Sequence, residues 1–440
     1  MNDESAAAKA KAFGYMTVFA SFLAVFALFG YRATFAILKG PMSVDMGWSQ
    51  AQVSIGYSLM MSFYAIAAFF SGWALDKWGT RPVYAIASIL GGLGFALTSL
   101  VHTHLAYLFT FGLIGGVATG MLWVSSTVSV RKWYVGKSYA TMWGFAFAGG
   151  PLAQFVLAYV TKGALANFHG GGPDAWRPAM LLLGAIMFVL LGIAVFSARK
   201  TPEKYGMEPF GQLPGAAAEK EWTTKEAFSK YAIWGAILVF LTSMMAEFLI
   251  WTQIVSFWVD DVGLSLGKAT SVYAVIGIVG IVSMPLMGKV ADKVVEKSPD
   301  EPTGRKIMLI VGPLLGAVAC IMLLVSGTSM LIAYVACFIF AFYWAIVPGG
   351  TVGYAGSVYG RKTLGKIWGL ATLIVMGIGP FTGSFVGGLL RDISGSYMYS
   401  IYFALGSFVV SVVIALTLPL RAESEGEQKA REYELAHAKP

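Results

Sequence analysis

Two charged side chains stand inside stretches of sequence that are otherwise apolar. Arg32 lies in the apolar run 14–38, and Glu247 lies in the apolar run 231–257. A charge at the centre of a membrane-spanning helix costs roughly 2.5 to 3.5 kcal/mol on insertion scales, so each is expected to face a partner or a watery cavity. Arg32 can hold an anionic group through its planar guanidinium, and Glu247 can take up and release a proton. An ion pair between the two is the alternative interpretation.

Polar aromatic side chains and one amide surround these charges on neighbouring apolar runs. Such residues line binding cavities in membrane proteins, although they also serve in packing and in interfacial belts. The residues that we expect to contact a bound molecule, together with Arg32, are Tyr31, Tyr57, Tyr64, Trp123, Gln154, Trp251, Tyr273, Tyr343 and Trp344.

Motifs for enzymatic chemistry are missing from the sequence. It contains no Walker A pattern for ATP, no His-Glu-x-x-His zinc pattern and no Gly-x-Ser-x-Gly elbow. Cys320 and Cys337 fall inside apolar runs and lack the spacing of a metal site or a disulfide framework. We therefore expect no catalytic residue, no metal and no cofactor, which argues against an enzyme.

Membrane-spanning helices must position these residues. Of the 440 residues, 57% are hydrophobic and only 12% are charged, whereas soluble domains carry roughly 25% charged residues. A bilayer core of about 30 Å needs roughly 20 apolar residues per helix, and runs that are apolar on every face exclude barrel strands. The candidate spans are 14–38, 53–75, 83–101, 105–128, 139–161, 178–197, 231–257, 268–288, 307–326, 330–351, 366–388 and 397–419. We predict an all-α membrane protein with twelve transmembrane helices.

The distribution of basic residues predicts the orientation of the chain. Of the 31 Lys and Arg residues, 25 fall in connections on the side of the N-terminus, 5 fall in the opposite connections, and Arg32 is the last. This asymmetry follows the positive-inside rule, so the net charge of +8 needs no nucleic-acid partner. We expect a multi-pass protein of the cytoplasmic (inner) membrane, embedded in the lipid bilayer, with both termini cytoplasmic and no cleaved signal peptide.

The second half of the chain repeats the first at a constant offset of 216 residues, which separates Asp45 from Asp261. The same offset brings Arg32 within one residue of Glu247. Parallel repeats of this kind form two helical bundles with a binding site between them. We predict an N-terminal six-helix bundle at 1–197, a cytoplasmic linker at 198–230, a C-terminal six-helix bundle at 231–420 and a cytoplasmic tail at 421–440.

A glycine-containing, charged loop follows the second apolar run. The segment from Gly72 to Arg81 reads GWALDKWGTR and resembles the Gly-x-Leu-x-Asp-Arg-x-Gly-Arg-Arg signature of the major facilitator superfamily. The glycine permits close helix approach, Asp76 can accept hydrogen bonds from a helix N-terminus or a basic partner, and Arg81 can bridge to an adjacent helix. The resemblance implies a gating role for Gly72, Asp76, Lys77 and Arg81, with anchoring of helix ends as the alternative. The offset of 216 residues extends the same interpretation to Gly288 and Asp292.

Two further basic pairs, Arg131-Lys132 and Arg361-Lys362, occupy other connections on the inner side. Long basic side chains near helix ends usually extend toward the membrane surface. We expect these residues to act first as surface anchors and only second as gate elements.

The segment from Phe29 to Thr34 and the Gly47-Trp48-Ser49 turn are similar to the oxalate/formate and monocarboxylate porters of the same superfamily. This resemblance implies a monomeric secondary transporter of a small organic anion, working by alternating access and coupled to a proton or to a counter-anion. Monocarboxylate porters usually carry a cavity arginine on helix 8, and residues 265–290 contain none, so Arg32 would bind the anion alone. A drug or cation exporter of the same fold and a transporter-like sensor are the alternatives.

Overall fold

The protein is described here by a computed structural model that covers residues 3–48, 50–211 and 221–422. Twelve of its helices are long and apolar enough to cross a membrane, which confirms the predicted fold class. In chain order they are α1 Asp3–Met46, α2 Gln50–Trp78, α3 Thr80–Thr98, α4 His104–Trp133, α5 Tyr139–Phe147 with Gly149–Asn167, α6 Trp176–Ser197, α7 Tyr231–Ser256, α8 Leu266–Lys297, α9 Glu301–Ser326, α10 Met330–Tyr359, α11 Leu364–Ser394 and α12 Met398–Thr417.

Local sequence explains where the helices break and begin. α5 is interrupted at Ala148 because Pro151 has no N–H to donate to the carbonyl of the preceding turn. Gly79, at φ 85°, forms the turn between α2 and α3 in a backbone region that other residues rarely adopt. Asp300 caps α9 by accepting a hydrogen bond of 2.9 Å from the backbone N–H of Thr303.

The twelve helices form two six-helix bundles. In the first bundle α3 packs against α6 and α2 against α4, and in the second bundle α9 packs against α10 and α7 against α12. The bundles meet where α2 packs against α11 and where α5 packs against α8. Both interfaces need glycine: an added Cβ would collide with the Gly365 carbonyl at Gly72 and with the Ala140 carbonyl at Gly288.

Each bundle has two ends. The term basic end is used here for the end that carries the connections α2–α3, α4–α5, α6–α7, α8–α9 and α10–α11, and the term opposite end for the other. Because successive helices alternate in direction, odd-numbered helices start at the basic end and even-numbered helices finish there.

The sequence repeat corresponds to a repeated contact at the opposite end. Asp45, near the end of α1, accepts a hydrogen bond of 2.8 Å from the indole N–H of Trp176 at the start of α6. Asp261, after α7, accepts hydrogen bonds of 2.7 Å from the Ser396 hydroxyl and 2.6 Å from the Tyr397 N–H before α12. Each aspartate therefore ties the first helix of its bundle to the last.

The outer surface of the bundles is apolar. Phe196 is 80% exposed and Phe381 is 70% exposed, and both lie within spanning helices. Such side chains on every outer face suit contact with lipid hydrocarbon rather than with water.

The helices extend beyond the apolar runs that hydropathy marks. α1 continues to Met46 rather than to 38, and α8 continues to Lys297 rather than to 288. Helical hydrogen bonding is independent of side-chain polarity, so a helix continues past the hydrocarbon region into the polar interface. Residues 212–220 of the predicted linker and residues 423–440 of the predicted tail lie outside the described part of the chain.

Candidate functional site

A central cavity of about 330 Å³ lies between the two bundles. Its walls come from α1, α2, α4 and α5 of the first bundle and from α7, α8, α10 and α11 of the second. The residues predicted from the sequence that line it are Arg32, Tyr57, Tyr64, Trp123, Gln154, Glu247, Trp251, Tyr273 and Trp344. The fold thus brings both intramembrane charges and most of the predicted contact residues to one place.

Arg32 is the only cation among the described residues that line the central cavity. Its guanidinium carbon lies 4.9 Å from the centre of the Tyr64 ring and 5.4 Å from the centre of the Phe29 ring. Its Nε and Nη2 atoms are buried and have no acceptor within the described part of the chain, and no ion pair to Glu247 forms there. An arginine held by aromatic faces with unpaired N–H groups is suited to bind an anion.

Other donors around Arg32 are also unpaired. The indole N–H groups of Trp123 and Trp251 are buried without a hydrogen-bond partner among the described residues. Indole and guanidinium groups can only donate, and burying a donor without an acceptor costs about 1 to 3 kcal/mol. The residues that line the central cavity therefore carry several unpaired donors, which suits an acceptor-rich ligand such as a carboxylate.

Glu247 is the only carboxylate among the described residues of the cavity wall, and it is 6% exposed. Its Oε2 atom lies 3.0 Å from the hydroxyl oxygen of Tyr343, which also lies 3.0 Å from the carbonyl oxygen of Ser243. A hydroxyl has one hydrogen, and a carbonyl can only accept. Tyr343 can donate to a charged Glu247, or it can donate to Ser243 and accept from a protonated Glu247. The contact is therefore compatible with both protonation states of the carboxyl group.

Two residues predicted to contact a ligand lie outside the cavity wall. Tyr31 is 1% exposed, and its ring stacks on Phe95 of α3 with 4.3 Å between ring centres. Tyr343 is buried behind Glu247. Adjacent positions on a helix do not share a face, so Tyr31 points away from the cavity that Arg32 enters. Tyr31 packs inside the first bundle, and Tyr343 positions Glu247.

Apolar lining residues were missed by the sequence analysis. Helical spacing marks several of them, because Phe29 precedes Arg32 by three positions, and Met244 precedes Glu247 by three. Polarity alone does not distinguish them from core residues. The missed lining residues are Phe29, Ala33, Phe147, Phe240, Met244, Phe248, Pro348 and Met376.

Four lining aromatic rings contact one another and are called the aromatic floor here: Phe29, Trp123, Phe147 and Trp344. The centre of the Trp344 ring lies 6.0 Å from that of Phe29 and 5.7 Å from that of Phe147. Trp123 contacts Phe147 at 5.9 Å between ring centres. Phe29 lies about 4.5 Å nearer the basic end than Arg32, at roughly 1.5 Å of helix rise per residue. The floor therefore joins the two bundles next to Arg32.

A second cavity of about 500 Å³ adjoins the central one and is lined mainly by α5 and α8. The two cavities share Gln154, Trp251 and Tyr273. The second cavity also includes Lys162, which lies near the opposite end of α5. The second cavity is therefore a neighbour of the space around Arg32 and extends along α5 toward the opposite end.

Polar contacts hold the basic end closed. Within the described ranges, every side-chain hydrogen bond that joins one bundle to the other involves residues at this end. Asp76, in the last turn of α2, accepts a hydrogen bond of 2.7 Å from the Lys132 ammonium. It accepts another of 2.8 Å from the backbone N–H of Lys366 at the start of α11. A carboxylate is favourable there because the first N–H groups of a helix lack partners within the helix.

Asp292 occupies the equivalent position in α8 and makes the reciprocal contact. It accepts hydrogen bonds of 2.9 Å from the backbone N–H of Ala140 and 2.6 Å from that of Thr141, both at the start of α5. Arg305 of its own bundle lies 3.3 Å away. Each aspartate thus caps a helix of the other bundle while pairing with a cation of its own.

Arg131 and Lys132 are structural members of this closure rather than surface anchors. Arg131 is 1% exposed and pairs with Glu301 of the second bundle, and Lys132 is 7% exposed. Glu301 also lies 3.2 Å from Arg305. The expectation of surface anchoring is wrong for this pair, because its carboxylate partners come from distant segments that local sequence does not reveal.

The remaining predicted gating residues stay within the first bundle. The ammonium of Lys77 lies 4.8 Å from the centre of the Trp73 ring on the same helix. Arg81 donates from Nε to the Ala198 carbonyl at the end of α6, at 2.7 Å. Gly72, Asp76, Gly288 and Asp292 therefore contact the other bundle, whereas Lys77 and Arg81 do not within the described residues.

The described part of the linker runs across the basic end. The N–H of Phe210 donates to the Trp133 carbonyl, and the N–H of Val135 donates to the Phe210 carbonyl, each at 2.8 Å. Glu203 lies 3.0 Å from Arg361 in the α10–α11 connection. The linker is thus attached to both bundles on the closed side.

Comparison with known proteins places the chain among transporters. The Major Facilitator Superfamily model matches residues 20–381. A protein named "Putative tartrate transporter" from Agrobacterium vitis is 25% identical over 435 residues, 93% of this chain and 94% of that protein. Monocarboxylate transporter 14 of Homo sapiens is 26% identical over 196 residues, 44% of this chain and 36% of that protein. The solved structure of the proton:xylose symporter XylE with a bound bromodeoxyglucose has a TM-score of 0.69 at 13% identity and covers 97% of this chain and 99% of that one.

Proposed function

The chain belongs to the Major Facilitator Superfamily and is a multi-pass membrane transporter, and from this premise we propose that it moves a small organic anion, a monocarboxylate or a similar acid. Transport proceeds by alternating access across the cytoplasmic membrane. The observation that carries the proposal is the group of unpaired donors in the central cavity: Arg32, Trp123 and Trp251.

An anionic ligand would satisfy these donors at once. A carboxylate can accept a bidentate pair from the guanidinium and further bonds from indole N–H groups, and charge-assisted hydrogen bonds of this kind are the stronger ones. The names of two relatives, a tartrate transporter and a monocarboxylate transporter, support the same chemical class.

Glu247 is proposed as the coupling residue. It faces the same cavity as Arg32, and Tyr343 can hydrogen-bond to it whether it is charged or protonated. A carboxyl group that changes protonation as access alternates would couple a proton to the anion. Exchange against a second anion is the other form of coupling and would need no titration of Glu247.

Gating is assigned to the closed basic end. We place this end in the cytoplasm, since 25 of the 31 basic residues lie on its side, with segment 198–230 as the cytoplasmic linker between an N-terminal bundle at 1–197 and a C-terminal bundle at 231–420. Asp76 and Asp292 hold this side shut while the cavity connects to the opposite end. A monomer contains both bundles and the complete cavity.

A drug or cation exporter is the second candidate class. Such a protein would be expected to place several carboxylates in its cavity, whereas the described wall has one carboxylate opposite one arginine. A transporter-like sensor would share the cavity but would not move its ligand, so uptake measurements separate it from a transporter.

Uptake by proteoliposomes tests the proposal. The purified chain is offered labelled formate, oxalate, pyruvate, lactate, tartrate and a phosphate ester, and at least one carboxylate should be taken up. Arg32→Lys should weaken its uptake, because an ammonium cannot reproduce the bidentate guanidinium. Uptake of cationic drugs in place of every acid would overturn the assignment.

Matched tryptophan variants test the donor argument itself. Trp123→Phe and Trp251→Phe each remove an unpaired N–H from a lining residue and should weaken anion binding by at least about tenfold, since a hydrogen bond to a charged group is worth about 1.5 to 3 kcal/mol. Trp258→Phe is the control, because the Trp258 N–H is also buried and unpaired among the described residues but lies outside the cavity. Equal effects of all three would contradict the role of the donors.

The orientation is tested by single cysteines. Gly172→Cys lies in the connection between α5 and α6, and Lys204→Cys lies in the connection after α6. A membrane-impermeant thiol reagent should label the first from outside the cell and the second only from inside. Labelling of both from one side would contradict the proposed topology.

A further inference from the structure

We propose that the transported anion carries one carboxylate on a bulky apolar body, so that aromatic and branched-chain monocarboxylates bind more tightly than hydroxylated dicarboxylates such as tartrate and glucarate. The inference rests on the proposed function and narrows it to a substrate class. It follows from the charge, the hydrogen-bonding groups and the shape of the central cavity.

The charge of the cavity wall suits a single anionic group. Arg32 is balanced by Glu247, and no other charged side chain is present among the described lining residues. A second carboxylate on the ligand would be buried without a cation, which is strongly unfavourable. Lys162 is exposed and belongs to the adjoining cavity beyond Gln154.

The hydrogen-bonding groups of the wall suit a carboxylate better than a row of hydroxyls. Every ligand hydroxyl brings a hydrogen that needs an acceptor, and the donor-only groups of Arg32, Trp123 and Trp251 provide none. Acceptors come from Gln154, Glu247 and the hydroxyls of the lining tyrosines, but one oxygen of Glu247 is already bonded to Tyr343. Each ligand hydroxyl that is buried without an acceptor lowers affinity by roughly tenfold.

The rest of the wall is apolar and aromatic. The aromatic floor lies on one side of Arg32. Further apolar side chains line the cavity from α7 and α11: Phe240, Met244, Phe248 and Met376. Aromatic rings bind a second ring in edge-to-face or offset geometry, and methionine adapts to irregular apolar shapes. A carboxylate at Arg32 therefore directs the body of the ligand onto apolar surface.

The size of the space limits that body. At about 330 Å³ the cavity lies near the lower end of the roughly 300 to 1,000 Å³ typical of ligand pockets. One ring or one branched chain is compatible with this volume. The adjoining cavity gives a path toward Gln154 and Trp251 for ligands that are somewhat longer.

Equilibrium binding tests the inference. The full chain in lipid nanodiscs is titrated with acetate, 4-methyl-2-oxopentanoate, phenylacetate, tartrate and glucarate in a calorimeter, with protein-free nanodiscs as the control for partitioning into lipid. Phenylacetate and 4-methyl-2-oxopentanoate should each bind at least about tenfold more tightly than acetate, tartrate and glucarate. Tighter binding of tartrate or glucarate would overturn the inference.

A matched pair of substitutions at one lining position sharpens the test. Phe248→Leu keeps the wall apolar, whereas Phe248→Asn introduces a polar side chain with the same number of heavy atoms as leucine and a similar branched shape. The leucine variant should retain the preference for phenylacetate over tartrate within about threefold, and the asparagine variant should reduce it by about tenfold. Equal preferences in the two variants would count against the inference even if both proteins fold and bind.

Arg32→Lys separates this inference from the function on which it rests. If tartrate or glucarate binds best and Arg32→Lys weakens that binding, the cavity is an anion site and only the apolar-body inference fails. If none of the five anions binds the wild-type chain, both fail. Weaker binding of phenylacetate to Arg32→Lys, with its preference over tartrate retained, supports both.

Discussion

Polar groups are buried in two regions between the same two bundles, and they differ in whether they are paired. At the basic end, the carboxylates of Asp76 and Asp292 have donors from both bundles. In the central cavity, Arg32, Trp123 and Trp251 keep donors that have no acceptor in the described part of the chain. Burial alone therefore does not distinguish a structural group from a ligand-binding group.

The difference indicates that paired and unpaired buried groups have different roles. Groups that are paired across the bundles stabilise the state in which that end is closed, and they must separate when the cavity opens there. Groups that are buried without partners destabilise the empty protein and are satisfied by a ligand. The predictions below test this comparison.

The largest and most opposed effects are expected from two arginines. Arg32→Gln should lower anion affinity by about a hundredfold, because a charge-assisted bidentate contact is lost, without lowering the melting temperature of the empty protein. Arg131→Gln should destabilise the protein by about 3 kcal/mol, since a buried pair with Glu301 is broken. Calorimetric binding and thermal unfolding measure the two effects. Lower stability of Arg32→Gln and weaker binding by Arg131→Gln would contradict the comparison.

The next effect concerns Glu247, which has a protein partner and also faces the cavity. Glu247→Gln keeps the size of the side chain and a hydrogen bond with Tyr343, but it cannot titrate. Exchange of labelled substrate across proteoliposomes should continue, while accumulation driven by a pH gradient should be lost. Normal accumulation by this variant would exclude Glu247 as the coupled group.

A smaller effect should separate the two aspartates. Asp292 accepts two backbone N–H groups of the other bundle and Asp76 accepts one, and an asparagine retains a single acceptor oxygen. Asp292→Asn should therefore shift the population toward opening at the basic end by about tenfold, and Asp76→Asn by only a few-fold. A single cysteine at Ala33, labelled from the cytoplasmic side, reports the shift. If Asp76→Asn shifted the population as much as Asp292→Asn or more, the expectation drawn from these hydrogen bonds would be contradicted.

The smallest effect is expected at Lys77. This side chain contacts Trp73 of its own helix and reaches no described residue of the second bundle, so Lys77→Ala should change stability by no more than about 0.5 kcal/mol. Lys132→Ala, which removes the buried partner of Asp76, should be clearly more destabilising. Thermal unfolding in nanodiscs compares them. A large loss in Lys77→Ala would restore the gating role that the signature loop implies.

The membrane helices were predictable because a span must be apolar over a length set by the bilayer. All backbone hydrogen bonds of a helix are internal to it, so a local window of sequence contains the needed information. The repeat offset was equally visible, and the contacts of Asp45 and Asp261 follow it. The ends of α1 and α8 were not predictable from hydropathy, because hydropathy stops at the hydrocarbon boundary.

The candidate site was predictable only in part. Arg32 and Glu247 were identified since a charge in a span is costly, and the structure places both at one cavity. Tyr31 and Tyr343 were predicted to contact a ligand because their aromatic side chains are polar. The helical position of each instead directs its side chain away from the cavity. The contact between Arg131 and Glu301 was missed, because it joins segments 170 residues apart.

The amino-acid sequence by itself determined the twelve helices, the repeat, the excess of basic residues on one side and the two intramembrane charges, since each depends on composition within one helix or one loop. Only the tertiary structure decided which polar groups are paired. That outcome depends on the distances between side chains of different helices, such as Asp292 with Ala140 and Thr141. It also leaves Arg32, Trp123 and Trp251 together without acceptors among the described residues, because no acceptor from another helix packs within hydrogen-bonding distance of their donors.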